Sequence, residues 1–251
     1  MGAALRRRPP SPQARRTIVN KLRLFPLKSV FFPGATMNVH VFEERYRRLV
    51  RECLEDDDPF GIALLREGAE VGDSSYNPHS IGTEARILRC DPLPEGRYLL
   101  DVRGERRFSI VRLLAREPFL VAEVEYLAEP PPTAAAGELV ARARAGLPGY
   151  VDLLAKMANV EVDLPEVPDD PVVASYVIAQ TLQTNDAAKQ RLLEVSRADE
   201  RLRAELAVLQ RATQALERIA AQRESAARGE PATSGERKDQ ERLFGVYFSP
   251  N

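Results

Sequence analysis

Three consecutive prolines, Pro130, Pro131 and Pro132, divide this chain of 251 residues into two parts with different hydrophobic patterns. Consecutive prolines hold the backbone extended and offer no N–H groups to a strand ladder or a helix. Before them, residues 22–127 contain short apolar runs that end at Gly or Pro, whereas the following residues are rich in Ala, Leu and Arg. We therefore predict a β-rich subdomain at residues 19–128 and a helical subdomain at residues 133–224.

The β-rich part contains short segments that we predict to be strands. Several alternate apolar and polar residues, as in Thr83-Glu84-Ala85-Arg86-Ile87, which is typical of half-buried strands. The predicted strands are 22–27, 36–42, 60–66, 82–90, 97–104, 107–115 and 120–127. Short strands in this number close or nearly close, because closure removes unpaired edges, so we expect a twisted pseudo-barrel.

One predicted helix, residues 43–57, interrupts these strands. Its apolar residues recur at steps of three and four, which gives one stripe that can pack on the sheet. The stripe consists of Tyr46, Leu49, Val50, Cys53 and Leu54. We expect this helix to pack on the sheet through that stripe.

The helical part is predicted to contain helices at 134–158, with a kink at 146–149, and at 171–182. A third helix, 186–221, is capped by Asn185 or Asp186 and would extend on the order of 50 Å. Its apolar residues keep a three-four spacing: Leu192, Val195, Leu202, Leu206, Leu209 and Leu216. This pattern is compatible with intramolecular packing plus a solvated end, and also with the coiled-coil seam of a homodimer.

Both ends of the chain have compositions that disfavour a packed core. Residues 1–18 are rich in Arg and Pro and are expected to be a disordered basic tail. Residues 225–242 are expected to be flexible, and the aromatic peptide 243–251 follows them. That peptide can dock on another protein, or can add a strand or plug to its own domain.

Composition limits the classes of partner. The formal net charge is -1, from 36 basic and 37 acidic residues, so bulk attraction to nucleic acid or to an anionic membrane is not expected. No apolar run approaches the roughly 20 residues that cross a bilayer. Cys53 and Cys90 are expected to be buried thiols rather than a disulfide, and a cytoplasmic location follows.

Motifs for chemistry are missing from the sequence. There is no Gly-x-x-x-x-Gly-Lys-Ser/Thr segment for nucleotide phosphates and no Gly-x-Ser-x-Gly elbow. His40 and His79 lie far apart and outside any Cys/His spacing of a zinc site. We therefore predict no catalytic residues, no metal and no cofactor.

The order of several segments resembles the N-terminal, substrate-binding domain of Lon protease, with compatible gaps over residues 22–220. The segments that carry the resemblance are Leu24-Phe25-Pro26-Leu27-Lys28-Ser29-Val30-Phe31-Phe32-Pro33-Gly34, Phe42-Glu43-Glu44-Arg45-Tyr46, Ile81-Gly82-Thr83-Glu84-Ala85-Arg86-Ile87, Gly104-Glu105-Arg106-Arg107-Phe108 and Phe119-Leu120-Val121-Ala122-Glu123-Val124. The resemblance implies an α+β fold: a PUA-like β pseudo-barrel with a capping helix, then a helical subdomain ending in one long helix. It also implies a stand-alone member without the ATPase and protease domains.

The resulting functional hypothesis is a non-enzymatic protein that binds unfolded or partly folded polypeptides, or a partner protein. Candidate polypeptide-binding residues are Phe31, Phe32, Phe60 and Tyr76, which can equally belong to the core. One alternative is a PUA-like RNA-binding protein that uses the basic segment 103–108, although Glu105 interrupts that patch. A hydrolase with a site that the sequence does not reveal is a third possibility.

Overall fold

The computed structural model describes residues 20–66 and 77–227, which form an α+β fold. The strands are β1 (Asn20–Leu27), β2 (Thr36–Val41), β3 (Phe60–Leu64), β4 (Ile81–Leu93), β5 (Arg97–Ala115) and β6 (Leu120–Tyr126). The helices are α1 (Glu44–Asp56), α2 (Ala136–Ala158), α3 (Pro171–Thr181), α4 (Asp186–Glu194) and α5 (Ala198–Ala227). The β-rich and helical halves thus follow one another along the chain, as the sequence predicts.

The six described strands form one mixed sheet in the order β2-β5-β4-β3-β1-β6. Strand β6 also pairs with β5, so the pairings lead from β5 through β4, β3, β1 and β6 back to β5. The β1–β3 pair is parallel, with Leu24 opposite Gly61, and the other pairs are antiparallel. Strand β2 is attached outside this circuit, through β5.

Strand β5 corrects one boundary of the prediction, because residues 97–115 form a single strand rather than two. Gly104 sits where the prediction placed the break. An added Cβ there would lie 2.3 Å from the carbonyl oxygen of Phe32, so the position requires glycine for close approach rather than for a turn. The partner strand β4 absorbs the bend with a register shift between Thr83 and Ala85.

Phe31 and Phe32 point into different hydrophobic clusters. Phe31 packs with residues of β1, β2, β5 and α1, whereas Phe32 belongs to the cluster formed by the helices. The ring centroids of Phe32 and Tyr176 in α3 are 6.3 Å apart. Two adjacent side chains therefore join the β-rich part to the helices.

A buried group of charges makes the second connection. Arg107 in β5 is 1% exposed and donates to Glu129 at 2.8 Å and to the backbone carbonyls of Leu193 and Val195, each at 2.9 Å. Arg201 in α5 donates to the Val195 carbonyl at 2.7 Å. The two guanidinium groups thus hold the connection between α4 and α5 against the sheet.

The predicted single helix 186–221 is wrong, because α4 ends at Glu194 and α5 begins at Ala198. Val195 adopts an extended backbone, which frees carbonyls at the end of α4 for the buried arginines. The predicted cap is confirmed at Asn185, whose side chain accepts from the Ala188 N–H at 2.8 Å. Asp170 caps α3 in the same way through Val172 and Val173.

The leucine stripe of α5 packs inside this chain. Leu202, Leu209 and Leu216 are buried in the helical cluster, which also contains Leu139 and Leu147 of α2. Helix α2 continues through Pro148 as one helix, and its Gly146 lies close to Leu209. Of the two possibilities for the stripe, the structure has the intramolecular one.

Helix α1 buries Tyr46, Leu49, Val50 and Cys53 as predicted, whereas Leu54 is exposed. Within residues 20–66 and 77–227, every helix is too short or too polar to cross a bilayer. The predicted tail 1–18 lies outside the described residues, and so does Tyr76. Of the predicted tail 225–251, residues 225–227 belong to α5 and the rest lies outside the described residues.

Candidate functional site: the groove at strand β2

Strand β2 has one paired edge and one edge that no other strand occupies in the part of the chain described. All six of its residues pair with β5, from Thr36 opposite Arg103 to Val41 opposite Tyr98. A strand edge without a partner presents a row of N–H and C=O groups that another chain can use. This edge is the first element of the candidate site.

A groove of about 360 Å³ runs beside β2 and the end of β1. Residues 37–43 all line it. Because successive side chains of a strand point to opposite faces, an unbroken run of lining residues means that the groove lies along the edge of the strand. Across the groove lie Phe25, Pro26 and Leu27 of β1, followed by Lys28 and Ser29. We call this depression the β2 groove.

The alternation of β2 explains how the groove is held open. Val39 and Val41 are buried in the core cluster, whereas Thr36, Asn38 and His40 are exposed. Inward valines fix the strand on β5 and α1, and the outward polar side chains leave the edge accessible. One face of the strand therefore packs on the core, and the other faces solvent.

Aromatic rings form the floor and rim of the β2 groove. Phe25 and Tyr46 stack with ring centroids 4.3 Å apart, and both line the groove. At the rim, Phe42 is 59% exposed, with its ring 5.8 Å from that of His40. An exposed Phe beside a buried aromatic pair provides an apolar contact for a side chain of an incoming segment.

Three of the four candidate binding residues are buried in the core. Phe31, Phe32 and Phe60 are each at most 5% exposed, which corrects the expectation that their rings meet a ligand directly. Hydrophobic burial explains this, since each ring completes a core cluster. Phe60 supports the β2 groove from behind, with its centroid 6.1 Å from that of Phe25.

The electrostatics of the β2 groove are mild. Glu43 at its rim accepts from the guanidinium of Arg45 at 2.9 Å, which neutralises the only carboxylate among the groove residues. In α1, burial raises the pKa of Cys53 to about 11, so this thiol stays protonated near neutral pH. The arrangement suits binding of a neutral or mixed segment rather than nucleophilic chemistry.

The two histidines and the acidic turn 55–58 are not assembled into a site for metal binding or catalysis. Among the described residues, no group of three or more His, Cys, Asp or Glu side chains is placed to hold a metal ion. His79 lies 3.7 Å from Glu194, and His40 is exposed at the β2 groove. The acidic turn 55–58 faces Arg23, which bonds Asp58 at 3.1 Å and also Asp56.

Arg106 and Arg107 of the basic segment 103–108 are paired with carboxylates, whereas Arg103 is exposed. Arg107 is buried on Glu129, Arg106 donates to Glu84 at 2.9 Å, and Glu105 accepts from Arg86 at 2.9 Å. Burial, followed by the hydrogen bond to Glu84, raises the pKa of Tyr126 to about 12. These pairs tie strands together and neutralise much of the positive charge that phosphate groups would require.

The β2 groove was missed by sequence reasoning. The alternation in residues 36–42 predicts the strand, but nothing in it states that only one edge is paired. The available signal in the sequence is Phe42 itself, an apolar residue that follows the alternating residues 36–41 just before the predicted helix begins. Strand β2 pairs with β5, about 60 residues further along the chain, and a single sequence does not show which strands pair.

Comparison with known proteins places the chain in a family. The family model for the ATP-dependent protease La (LON) substrate-binding domain matches residues 21–211. The chain is 30% identical to a Lon N-terminal domain protein from Xanthomonas campestris, with a TM-score of 0.55 over 75% of this chain and 98% of that one.

Two full-length Lon proteases are also similar to this chain, one over a shorter stretch and one at lower identity. Lon protease 2 of Myxococcus xanthus is 31% identical over 118 residues, which are 47% of this chain and 14% of that protein. Lon protease of Anaeromyxobacter dehalogenans is 26% identical over 216 residues, 83% of this chain and 25% of that protein. The chain thus spans a quarter or less of these two relatives. It belongs to the family of LON substrate-binding domains.

Proposed function

We propose that this protein is a non-enzymatic polypeptide-binding module that takes up an extended segment of an unfolded or partly folded chain, or of a partner protein, along strand β2. The observation that carries the proposal is that β2 is paired on one edge only, while residues 37–43 border an apolar groove along the other. Membership in a family described as substrate-binding supports it.

The physical basis is strand addition. A segment lying beside β2 would exchange main-chain hydrogen bonds with it, independently of sequence, and alternate side chains would enter the groove. The exposed ring of Phe42, beside the buried pair of Phe25 and Tyr46, favours apolar side chains there. Such a site binds many sequences weakly, which is what a module that handles unfolded chains requires.

Several observations support binding without catalysis. The Cys53 thiol is buried and stays protonated, and the carboxylate that lines the groove with His40, that of Glu43, is engaged by Arg45. The matched family is a substrate-binding domain. We therefore infer that the 251 residues bind and do not cleave.

RNA binding receives less support than polypeptide binding. Of the three arginines in segment 103–108, Arg106 and Arg107 are engaged by Glu84 and Glu129, and Arg103 is exposed. Leu202, Leu209 and Leu216 pack within the chain, which supports intramolecular packing over a homodimer seam. Free Cys53 and Cys90 agree with the reducing cytoplasm, which we propose as the location.

Fluorescence anisotropy with a labelled, carboxymethylated polypeptide that stays unfolded tests the proposal, beside an RNA of similar length at low and moderate salt. We expect salt-tolerant binding of the polypeptide, weakened about tenfold, or ~1.4 kcal/mol, by Phe42→Asp. The control is Val111→Asp, which changes a residue on β5 that is 50% exposed and outside the groove.

Equal loss in both variants would assign the effect to charge rather than to the β2 groove, and would contradict the proposal. Strongly salt-dependent binding of RNA alone would replace it with nucleic-acid recognition. Unchanged affinity in Phe42→Asp would also contradict the assignment of the site.

A further inference from the structure

A second apolar groove lies on the helical part, far in sequence from β2. It has a volume of about 480 Å³ and lies between the end of α2, the segment 160–165 and the end of α3. Its apolar lining consists of Val151, Leu154, Ala158, Val160, Val162 and Pro165. We call it the α2 groove.

The segment that forms one wall of the α2 groove exposes apolar side chains at alternate positions. Val160 is 53% exposed, Val162 is 52% exposed and Leu164 is half-exposed. Residues 160–168 contain no helix or strand. Apolar residues two apart on an extended segment present one hydrophobic strip, and a strip of this kind is uncommon on a surface that contacts only water.

The described part of α5 ends beside this groove. Arg223 in its last turns donates to the carbonyl of Met157 at 3.4 Å, and Met157 is adjacent to the groove residue Ala158. Helix α5 continues only to Ala227, which is about 6 Å further along its axis. The chain therefore leaves α5 next to the α2 groove.

The sequence beyond that point supplies a matching occupant. Residues 228–242 are almost entirely polar, and residues 243–248 then read Leu-Phe-Gly-Val-Tyr-Phe, where five of six are apolar. The intervening 15 residues can reach about 50 Å when extended and would average about 20 Å as a flexible chain. Tethering at this length gives an effective concentration on the order of millimolar, so weak contacts suffice.

We propose that residues 243–248 of the same chain occupy the α2 groove and cover Val160 and Val162. The peptide would pack its aromatic side chains against the apolar lining near α2. This site is separate from the β2 groove, so it does not depend on the proposed polypeptide-binding function.

The chain contains no tryptophan, so Phe244→Trp introduces a single fluorescent reporter into the full-length protein. We expect blue-shifted emission and at least threefold weaker acrylamide quenching than for Ser234→Trp in the polar stretch. Adding Val162→Asp should return the Phe244→Trp emission to the water-exposed value. Leu88→Asp, a matched change at a residue 52% exposed on β4, should leave it shifted.

Other outcomes would overturn the proposal. Water-like emission without any second change means that the peptide is free. Release by Phe42→Asp but not by Val162→Asp places it in the β2 groove, and an emission shift that disappears on dilution means that a second copy supplies the site. Urea unfolding of Val162→Asp confirms that the exposed substitution leaves the fold intact.

Discussion

Gly104 lies so close to the carbonyl oxygen of Phe32 that a Cβ there would sit 2.3 Å from it. This contact lets the segment carrying Phe31 and Phe32 cross β5, which places one ring in each hydrophobic cluster. The backbone bonds between Gly34 and Gly104 and between Gly104 and Ala35, each 2.9 Å, fix the same crossing. The connection of the β-rich part to the helices thus depends on the absence of a side chain at residue 104.

The first prediction is that Gly104→Ala lowers the free energy of unfolding by about 2–3 kcal/mol, because the added methyl group must push backbone apart. Urea unfolding followed by circular dichroism measures the change. The matched control is Gly149→Ala in α2, where an added Cβ meets nothing within 4 Å. That substitution should raise stability by about 0.5–1 kcal/mol, and equal effects in both variants would contradict this explanation.

The second prediction concerns the ion pair between buried Arg107 and partly exposed Glu129. Arg107→Met should cost about 3–5 kcal/mol, since it removes a charged donor from the Glu129 carboxylate and from the carbonyl of Leu193, although Tyr176 still donates to Glu129. A double-mutant cycle with Glu129→Gln should return a coupling energy on the order of 2 kcal/mol. Arg112→Ala, which removes an exposed ion pair with Glu123, should cost less than about 1 kcal/mol. A coupling energy near zero would mean that Arg107 acts only through the carbonyls.

The third prediction follows from Glu205, which is fully buried in α5. Burial raises its pKa well above the ordinary value of 4.5, although nearby Arg201 opposes the shift, and neither carboxylate oxygen has a hydrogen-bond partner among the described residues. A raised pKa in the folded state means that folding favours the protonated form. The stability that this form contributes is complete below pH 4.5 and is lost as pH rises through the folded pKa.

Glu205→Gln should therefore lose less stability than the unaltered chain as pH rises from 5 to 9. The measurement is the free energy of unfolding in urea at several pH values. Glu217→Gln, an exposed change on the same helix, should reproduce the pH dependence of the unaltered chain. Parallel curves for all three proteins would show that Glu205 does not titrate in this range.

The fourth prediction concerns the cap of α4. Asn185→Ala should cost about 1 kcal/mol, because the Ala188 N–H loses its acceptor. Asn185→Asp should retain most of the stability, since a carboxylate also accepts at a helix N-terminus. Thermal unfolding compares the two variants. An equal loss in both would indicate that the side-chain acceptor contributes little here.

Local patterns predicted most of the strands, the stripe of α1 and the Asn185 cap, because each depends on residues close in sequence. The break at 195–197 could not be predicted in the same way, since Leu192, Val195 and Leu202 continue the helical spacing across it. Buried Arg107, from about 90 residues earlier in the chain, accounts for the break by bonding the freed carbonyls.

The candidate site depended even more on distant contacts. The sequence marks Phe31, Phe32 and Phe60 as candidate contact residues because they lie next to turns. An apolar residue beside a turn looks the same in the sequence whether its side chain is exposed or buried. The structure buries them, and it places the accessible apolar surface around Phe42 and β2 instead. Which edge of β2 stays unpaired depends on the whole fold, and so does the placement of Phe31 and Phe32 in two different clusters.

Amide hydrogen exchange in β2 tests the central claim most directly. The full-length protein is exchanged with and without the carboxymethylated, unfolded polypeptide at a saturating concentration. The claim predicts slower exchange of backbone amides within residues 37–42 when the polypeptide is bound, with little change in β3, because a new strand would protect the free edge. Protection confined to another part of the chain, with residues 37–42 unchanged, would contradict it.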